Sequence, residues 1–124
     1  MSRKVLVVDD SLASARQLTK VLGDLGDYQV VGHARNGAEA VKLYKSLSPE
    51  LVLMDIIMPM MDGIQSLRTL LKIDPAARVI MVSSVGGVGS QAEEALRLGA
   101  RNVISKPFDL ERMRQVLEKA FEAK

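Results

Sequence analysis

The stretch Val5-Leu6-Val7-Val8, followed directly by Asp9-Asp10, decides how the rest of the sequence is interpreted. Its apolar, mostly β-branched residues do not alternate with polar ones, which is typical of a strand covered on both faces. Further short apolar runs have the same character: Val30–Val31, Leu51–Met54, Val79–Val82 and Val103–Ile104. Together these runs predict a sheet of five buried parallel strands.

The segments between these runs have apolar residues at helical steps of three and four, which predicts a helix after each strand. The residues are Leu18, Val21, Leu22 and Leu25; Val41 and Tyr44; Ile64, Leu67 and Leu71; Ala92, Ala95 and Leu96; and Leu110, Met113, Leu117, Ala120 and Phe121. Asn36-Gly37 predicts a turn after the second strand, Gly99 predicts the end of the fourth helix, and Pro49 and Pro75 follow the second and third helices. Alternating strands and helices predict an α/β fold, a doubly wound parallel sheet flanked by helices.

The composition fits one globular domain over residues 1–124. Hydrophobic residues make up 48% of the chain and charged residues 26%, which excludes a disordered or collagen-like chain. The net charge is only +2 and the basic residues are scattered, so we expect no nucleic-acid partner. There is no cysteine, and the apolar runs are far shorter than the roughly 20 residues that span a bilayer. We therefore expect a cytoplasmic protein without membrane insertion.

Reactive side chains follow the predicted strands. The first strand ends at Asp9-Asp10, the third at Asp55, the fourth at Ser83-Ser84 and the fifth at Ser105-Lys106-Pro107. In a doubly wound sheet the ligand crevice lies at the carboxyl ends of the strands, so we expect these groups to converge. Taken singly, each of them is an ordinary cap, loop or surface charge, and it is their combination that indicates a site.

A cluster of three carboxylates favours a divalent cation. Two unit charges 4 Å apart repel by about 4 kcal/mol at an effective dielectric constant near 20. An all-oxygen site with few protein ligands suits Mg²⁺, and a carboxylate can act as a nucleophile towards phosphorus. We expect Asp55 to be that nucleophile and Asp9 and Asp10 to hold the metal. Lys106 would neutralise a phosphoryl oxygen, and Ser83 would donate a hydrogen bond to another.

These residues lie in motifs that resemble the receiver domains of bacterial two-component response regulators, especially the single-domain chemotaxis (CheY-like) type. The motifs are VLVVDDS at 5–11, DIIMPMMDG at 55–63, VIMVSS at 79–84 and GARNVISKPF at 99–108. The resemblance implies a flavodoxin-like sheet of order 2-1-3-4-5 and a signalling switch rather than an enzyme with a separate substrate. Asp55 would accept phosphate from a histidine kinase and alter the surface of helix four, strand five and helix five, which would control a downstream target.

The resemblance also implies individual roles. Mg²⁺ would be ligated by Asp10, Asp55 and the backbone carbonyl of Ile57, with Asp9 acting mostly through water, and the Lys106-Pro107 bond would be cis. Such a protein would be a monomer or a dimer formed on phosphorylation.

The sequence departs from the receiver pattern at several positions. Val103 stands where many receivers have an aromatic residue that moves inward on activation. Ile57 and Val85 are apolar where polar groups often assist water, which predicts slow self-dephosphorylation. The only histidine, His33, is predicted on the edge strand, and we expect no metal or phosphorelay role because no carboxylate is predicted beside it.

Three alternatives stay open from the sequence. The chain could be the receiver of a multidomain regulator such as a chemotaxis methylesterase, whose receivers it also resembles. An Asp-nucleophile Mg²⁺ phosphohydrolase of the haloacid-dehalogenase-like type is a second possibility, although its DxD spacing is absent here. A flavodoxin-like FMN protein is a third, but Asp9 and Asp10 would repel the FMN phosphate.

Overall fold

The computed structural model describes residues 2–56, 63–83, 89–105 and 109–122. Its strands form one parallel sheet in the order β2-β1-β3-β4-β5, as expected. The strands are β1 Arg3–Val8, β2 Tyr28–Ala34, β3 Leu51–Asp55, β4 Val79–Ser83 and β5 Asn102–Ser105. The interior strands are buried, as their unbroken apolar runs predict. The predicted doubly wound α/β class is confirmed.

Helices cover both faces of the sheet. They are α1 Leu12–Leu25, α2 Gly37–Leu47, α3 Gly63–Ile73, α4 Gly89–Leu98 and α5 Leu110–Ala120. Helices α1 and α5 pack on one face, which we call the α1–α5 core, through Leu18, Leu22 and Leu117 among others. Helices α2, α3 and α4 pack on the other face, the α2–α4 core. Within the described ranges, no helix has both the length and the hydropathy needed to cross a membrane.

Polar caps fix where three of the helices begin. Asn36-Gly37 lies between β2 and α2, where the turn is predicted; the Asn36 side chain accepts a hydrogen bond of 2.9 Å from the Glu39 N–H, and Gly37 opens α2. Ser11 and Asp109 cap α1 and α5 in the same way. Because Ser11 directly follows Asp9-Asp10, the start of α1 also fixes the loop that leaves β1.

Three sequence expectations about burial were wrong. Val30 and Val31 are only half-buried, because β2 is an edge strand and lacks a neighbour on one side. Leu96 and Leu110 are 48% and 43% exposed, although both fit the helical spacing. Apolar residues at steps of three and four identify a helix, but this spacing does not show which of those residues the sheet covers.

One partly buried hydrogen bond ties α2 to the end of α3. The Tyr44 hydroxyl donates to Asp74 Oδ2 at 2.7 Å. Burial, and then this bond to the carboxylate, raise the pKa of Tyr44 to about 12. The folded protein thus holds the phenolic proton more tightly than the unfolded chain does.

Tyr44→Phe should lower the free energy of unfolding by about 1 kcal/mol near neutral pH, since one hydrogen bond is lost. The raised pKa means that this stabilisation is complete below an ordinary tyrosine pKa of about 10 and is lost as the pH rises through about 12. Thermal melts of wild type and variant should therefore converge across that window. If the difference in melting temperature stayed constant or widened as the pH rose, the hydrogen bond from Tyr44 would not account for the stabilisation.

Candidate functional site

The three acids that the sequence singled out lie together at the carboxyl edge of the sheet. β1 pairs with β3, and Val8 lies opposite Met54, so Asp9 and Asp55 leave neighbouring strands side by side. One carboxylate oxygen from each of Asp9, Asp10 and Asp55 lies within 4.8 Å of the other two. The parallel pairing therefore brings about the expected convergence.

The three acids differ in exposure. Asp9 is 1% exposed, Asp55 is half-buried and Asp10 is exposed. Asp9 is fixed by its surroundings: its N–H donates to the Ala34 carbonyl at 2.9 Å, and its Oδ1 accepts from the Ser11 N–H at 2.9 Å. The cluster thus has a rigid buried acid at its base and a solvent-facing acid at its mouth.

The donor set fits a small divalent cation. Carboxylate oxygens are the hard ligands that Mg²⁺ prefers, and ligands on opposite sides of Mg²⁺ are about 4.2 Å apart. The three oxygens lie within 4.8 Å of one another, so side-chain movements would bring them around one ion. A cation there would also relieve the mutual repulsion of the carboxylates.

Ser83 lies next to this cluster on the neighbouring strand. Val82 pairs with Asp55, and the Ile56 N–H donates to the Val82 carbonyl at 3.1 Å. Ser83, 3% exposed, follows Val82 as the last residue of β4 and lies opposite Ser105 of β5. A hydroxyl group therefore lies at the same edge as the acids, as the strand ends predict.

Several predicted site features lie outside the described residues. These are Ile57, Val85, Lys106 and the Lys106-Pro107 bond. Val103 is described: it is half-buried in β5 and packs against the α2–α4 core.

Gly63 was not assigned a role from the sequence, yet it determines how closely α3 approaches the site. Its N–H donates to the Ile56 carbonyl at 2.6 Å. A Cβ at this position would overlap the Asp55 carbonyl oxygen and lie 2.7 Å from the Ile56 Cα. The available signal was the glycine at the start of a helical stretch, in MMDG, because glycine is a poor helix former that allows close approach of the backbone.

His33 corrects another expectation. It lies on the edge strand as predicted, but its Nε2 is 2.8 Å from the Asp9 carbonyl oxygen. It also lines a cleft with Asp10, Leu12, Arg35 and Glu39. The expectation that no carboxylate lies nearby was wrong, because the sheet brings β2 against the loop after β1.

Comparison with known proteins gives a consistent result. The family model described as response regulator receiver domain matches residues 5–118. The chemotaxis protein CheY of Listeria monocytogenes is 41% identical over 117 residues, covering 94% of this chain and 97% of that protein. The protein-glutamate methylesterase/protein-glutamine glutaminase of Methanococcoides burtonii is 42% identical over 114 residues, covering 91% of this chain but 32% of that protein.

The fold agrees with solved structures as well. A chain in the crystal structure of the CheX–CheY–BeF₃–Mg²⁺ complex from Borrelia burgdorferi superposes with a TM-score of 0.90 at 35% identity. The match covers 98% of this chain and 90% of that one.

Gly63→Ala should destabilise the fold by about 1–3 kcal/mol, because the added methyl group must displace the backbone at Asp55 and Ile56. Gly23→Ala is the matched control: nothing lies within 4 Å of a Cβ there, and alanine in a helix should stabilise by about 0.5–1 kcal/mol. Urea unfolding of both variants measures the difference. Equal effects would show that Gly63 is not under steric constraint.

Asp10→Asn should raise the melting temperature of the metal-free protein by about 3 °C, since it removes one charge from the cluster. Adding Mg²⁺ should stabilise the wild type and have less effect on the variant. Glu93→Gln, an equal charge change on the exposed side of α4, is the control and should change neither value. If Asp10→Asn had the melting temperature of the wild type both with and without Mg²⁺, the three carboxylates would not interact electrostatically.

Proposed function

The chain belongs to the response regulator receiver domain family, and on that premise we propose that Asp55 is the phosphoacceptor of a two-component signalling switch. The observation that supports Asp55 most directly is its place beside Asp9 and Asp10 at the carboxyl edge of the sheet. Asp55 is the acid of this cluster that ends a central strand, β3, and it is half-buried.

The proposed reaction is a transfer of one phosphoryl group. An oxygen of the Asp55 carboxylate forms a bond to phosphorus while the bond from phosphorus to the donor nitrogen of a phosphohistidine breaks. The imidazole leaves with the electron pair and takes up a proton, and Asp55 becomes an acyl phosphate. Asp55 is held for this attack by its place at the end of β3. The start of α3 also packs against the Asp55 backbone, because Gly63 has no side chain.

Asp9, Asp10 and Asp55, with the Ile57 carbonyl, would hold Mg²⁺. When bound, the metal supplies positive charge to the phosphoryl oxygens. Asp10 would contribute a direct carboxylate ligand from the open side. The buried Asp9, fixed by Ala34 and Ser11, would act mostly through water.

Ser83 and Lys106 would bind the phosphoryl group once it is attached. The supporting observation for Ser83 is its position one residue beyond the strand pair that contains Asp55. Lys106 follows Ser105, which lies opposite Ser83 at the same edge. A hydroxyl donor and an ammonium ion together would stabilise phosphoryl oxygens that the acids alone repel.

Output would come from a shift between two conformations that the phosphoryl group biases. The surface of α4, β5 and α5 is the proposed output face, and it exposes Leu96 and Leu110. Val103 lacks the aromatic ring that moves in many receivers, so movement of α4 would carry more of the signal. Arg68 on α3 pairs with Glu94 on α4 at 3.2 Å, a surface contact that such movement would break.

The proposed partners are a histidine kinase as phosphodonor and a downstream protein in chemotaxis, within the cytoplasm. A solved complex from Borrelia burgdorferi contains CheY together with CheX, BeF₃ and Mg²⁺, which supports a protein partner. The similarity to the methylesterase keeps a second context open, in which the same switch controls an attached domain. Both contexts need the same chemistry at Asp55.

Incubation with acetyl phosphate and Mg²⁺ should add one phosphoryl group per chain, detected by mass spectrometry. Chelation of the metal should abolish labelling, and so should Asp55→Ala, since the attacking carboxylate is gone. Asp74→Ala, which removes a carboxylate far from the cluster, is the control and should be labelled normally. Once the donor is removed, we expect the label to be lost slowly because Ile57 and Val85 are apolar.

Labelling that persists in Asp55→Ala would place the acceptor elsewhere. Repeated turnover of small phosphoesters, releasing many phosphates per chain, would instead favour the phosphohydrolase alternative.

A further inference from the structure

His33 makes a contact that the phosphoacceptor chemistry does not itself explain. Its Nε2 lies 2.8 Å from the carbonyl oxygen of Asp9. A carbonyl oxygen only accepts hydrogen bonds, so Nε2 must carry the proton and donate it. A nitrogen engaged in this way cannot also ligate a metal ion, which excludes Nε2 of His33 as a direct ligand.

A β-bulge in β2 directs His33 towards Asp9. Val5 lies opposite Val30, but Leu6 lies opposite Gly32, so Val31 is an extra residue in the strand. An extra residue reverses the face on which the following side chains lie. Gly32 therefore lies against Leu6 of the α2–α4 core, whereas His33 lies opposite Val7 of the α1–α5 core.

The hydrogen bond acts on the peptide that joins Asp9 to Asp10. A peptide unit is planar, so fixing its carbonyl oxygen also fixes the nitrogen and Cα of the next residue. Asp9 is already fixed at its N–H by Ala34 and at Oδ1 by Ser11. Asp10 is exposed, and the hydrogen bond from His33 constrains the peptide plane that carries it.

We propose that His33 is a positioning residue: it orients the Asp9–Asp10 peptide and so presents the Asp10 carboxylate to the divalent cation. This inference rests on the proposed metal site and adds a residue from β2 to a site built from β1 and β3. Residues that orient metal ligands typically change metal affinity by about 10- to 100-fold when they are removed. Since His33 acts through a backbone group, we expect the lower end of that range.

The test compares Mg²⁺ dissociation constants by calorimetry in full-length variants. His33→Leu removes the donor and should weaken binding about tenfold. His33→Gln keeps an N–H donor near the position of Nε2 and should stay within about threefold of wild type. Gln29→Leu, at the far end of the same edge strand, is the control for a polar-to-leucine change and should bind as wild type.

Two NMR readouts separate positioning from a general loss of stability. Long-range ¹H–¹⁵N spectra of the neutral ring should show the Nε2–H tautomer. The amide signal of Asp10, which belongs to the oriented peptide, should shift in His33→Leu and return in His33→Gln.

The inference would be wrong if His33→Leu bound Mg²⁺ as tightly as the wild type, or if the Leu and Gln variants lost the same affinity. Neither result would contradict the proposed metal site. Absence of Mg²⁺ binding by the wild type would remove the metal site itself, and the inference with it.

Discussion

The constraint on which the site depends is the convergence of like charges at the carboxyl edge of a parallel sheet. Parallel pairing of β1 with β3 places Asp9 and Asp55 beside one another whatever their side chains prefer, and the loop after β1 adds Asp10. Such an arrangement is unfavourable in isolation. It persists because the strands beneath it are held by two buried cores, one on each face. The fold thus brings together carboxylates that, in the proposed function, bind a cation and through it an anionic phosphoryl group.

The surroundings of the acids divide into rigid and adjustable parts. Asp9 is buried and hydrogen-bonded, and the start of α3 lies directly against the backbone of Asp55 and Ile56 because Gly63 has no side chain. Asp10 faces solvent, and on the far side α4 is joined to α3 by an exposed ion pair, Arg68–Glu94, that contributes little energy. In the proposed switch, the base of the site therefore stays fixed while its outer side responds to the phosphoryl group.

The sequence predicts the strands, the helices and the acidic cluster. It does not predict the contacts that depend on how the elements pack against one another. Unbroken apolar runs identified the strands, and apolar residues at steps of three and four identified the helices. The acids of the site were found because they directly follow two of the predicted strands. The bulge at Val31 could not be foreseen, because it arises from the pairing of β2 with β1 and needs no particular residue type. Regular alternation along β2 would place His33 on the face of the α2–α4 core, so its contact with Asp9 depends on the bulge. The steric role of Gly63 depends on how α3 returns to the sheet, which no local pattern records.

The most direct test of the convergence of the acids is paramagnetic broadening of amide signals by trace Mn²⁺, a spin probe for the cation. The structure predicts that the first signals to broaden are those of Asp9, Asp10, Ser11, Asp55 and Ile56, which lie far apart in sequence but meet at one edge. Broadening that is uniform, or that centres on the acidic side chains of α5 such as Glu111 and Glu118, would contradict the central claim.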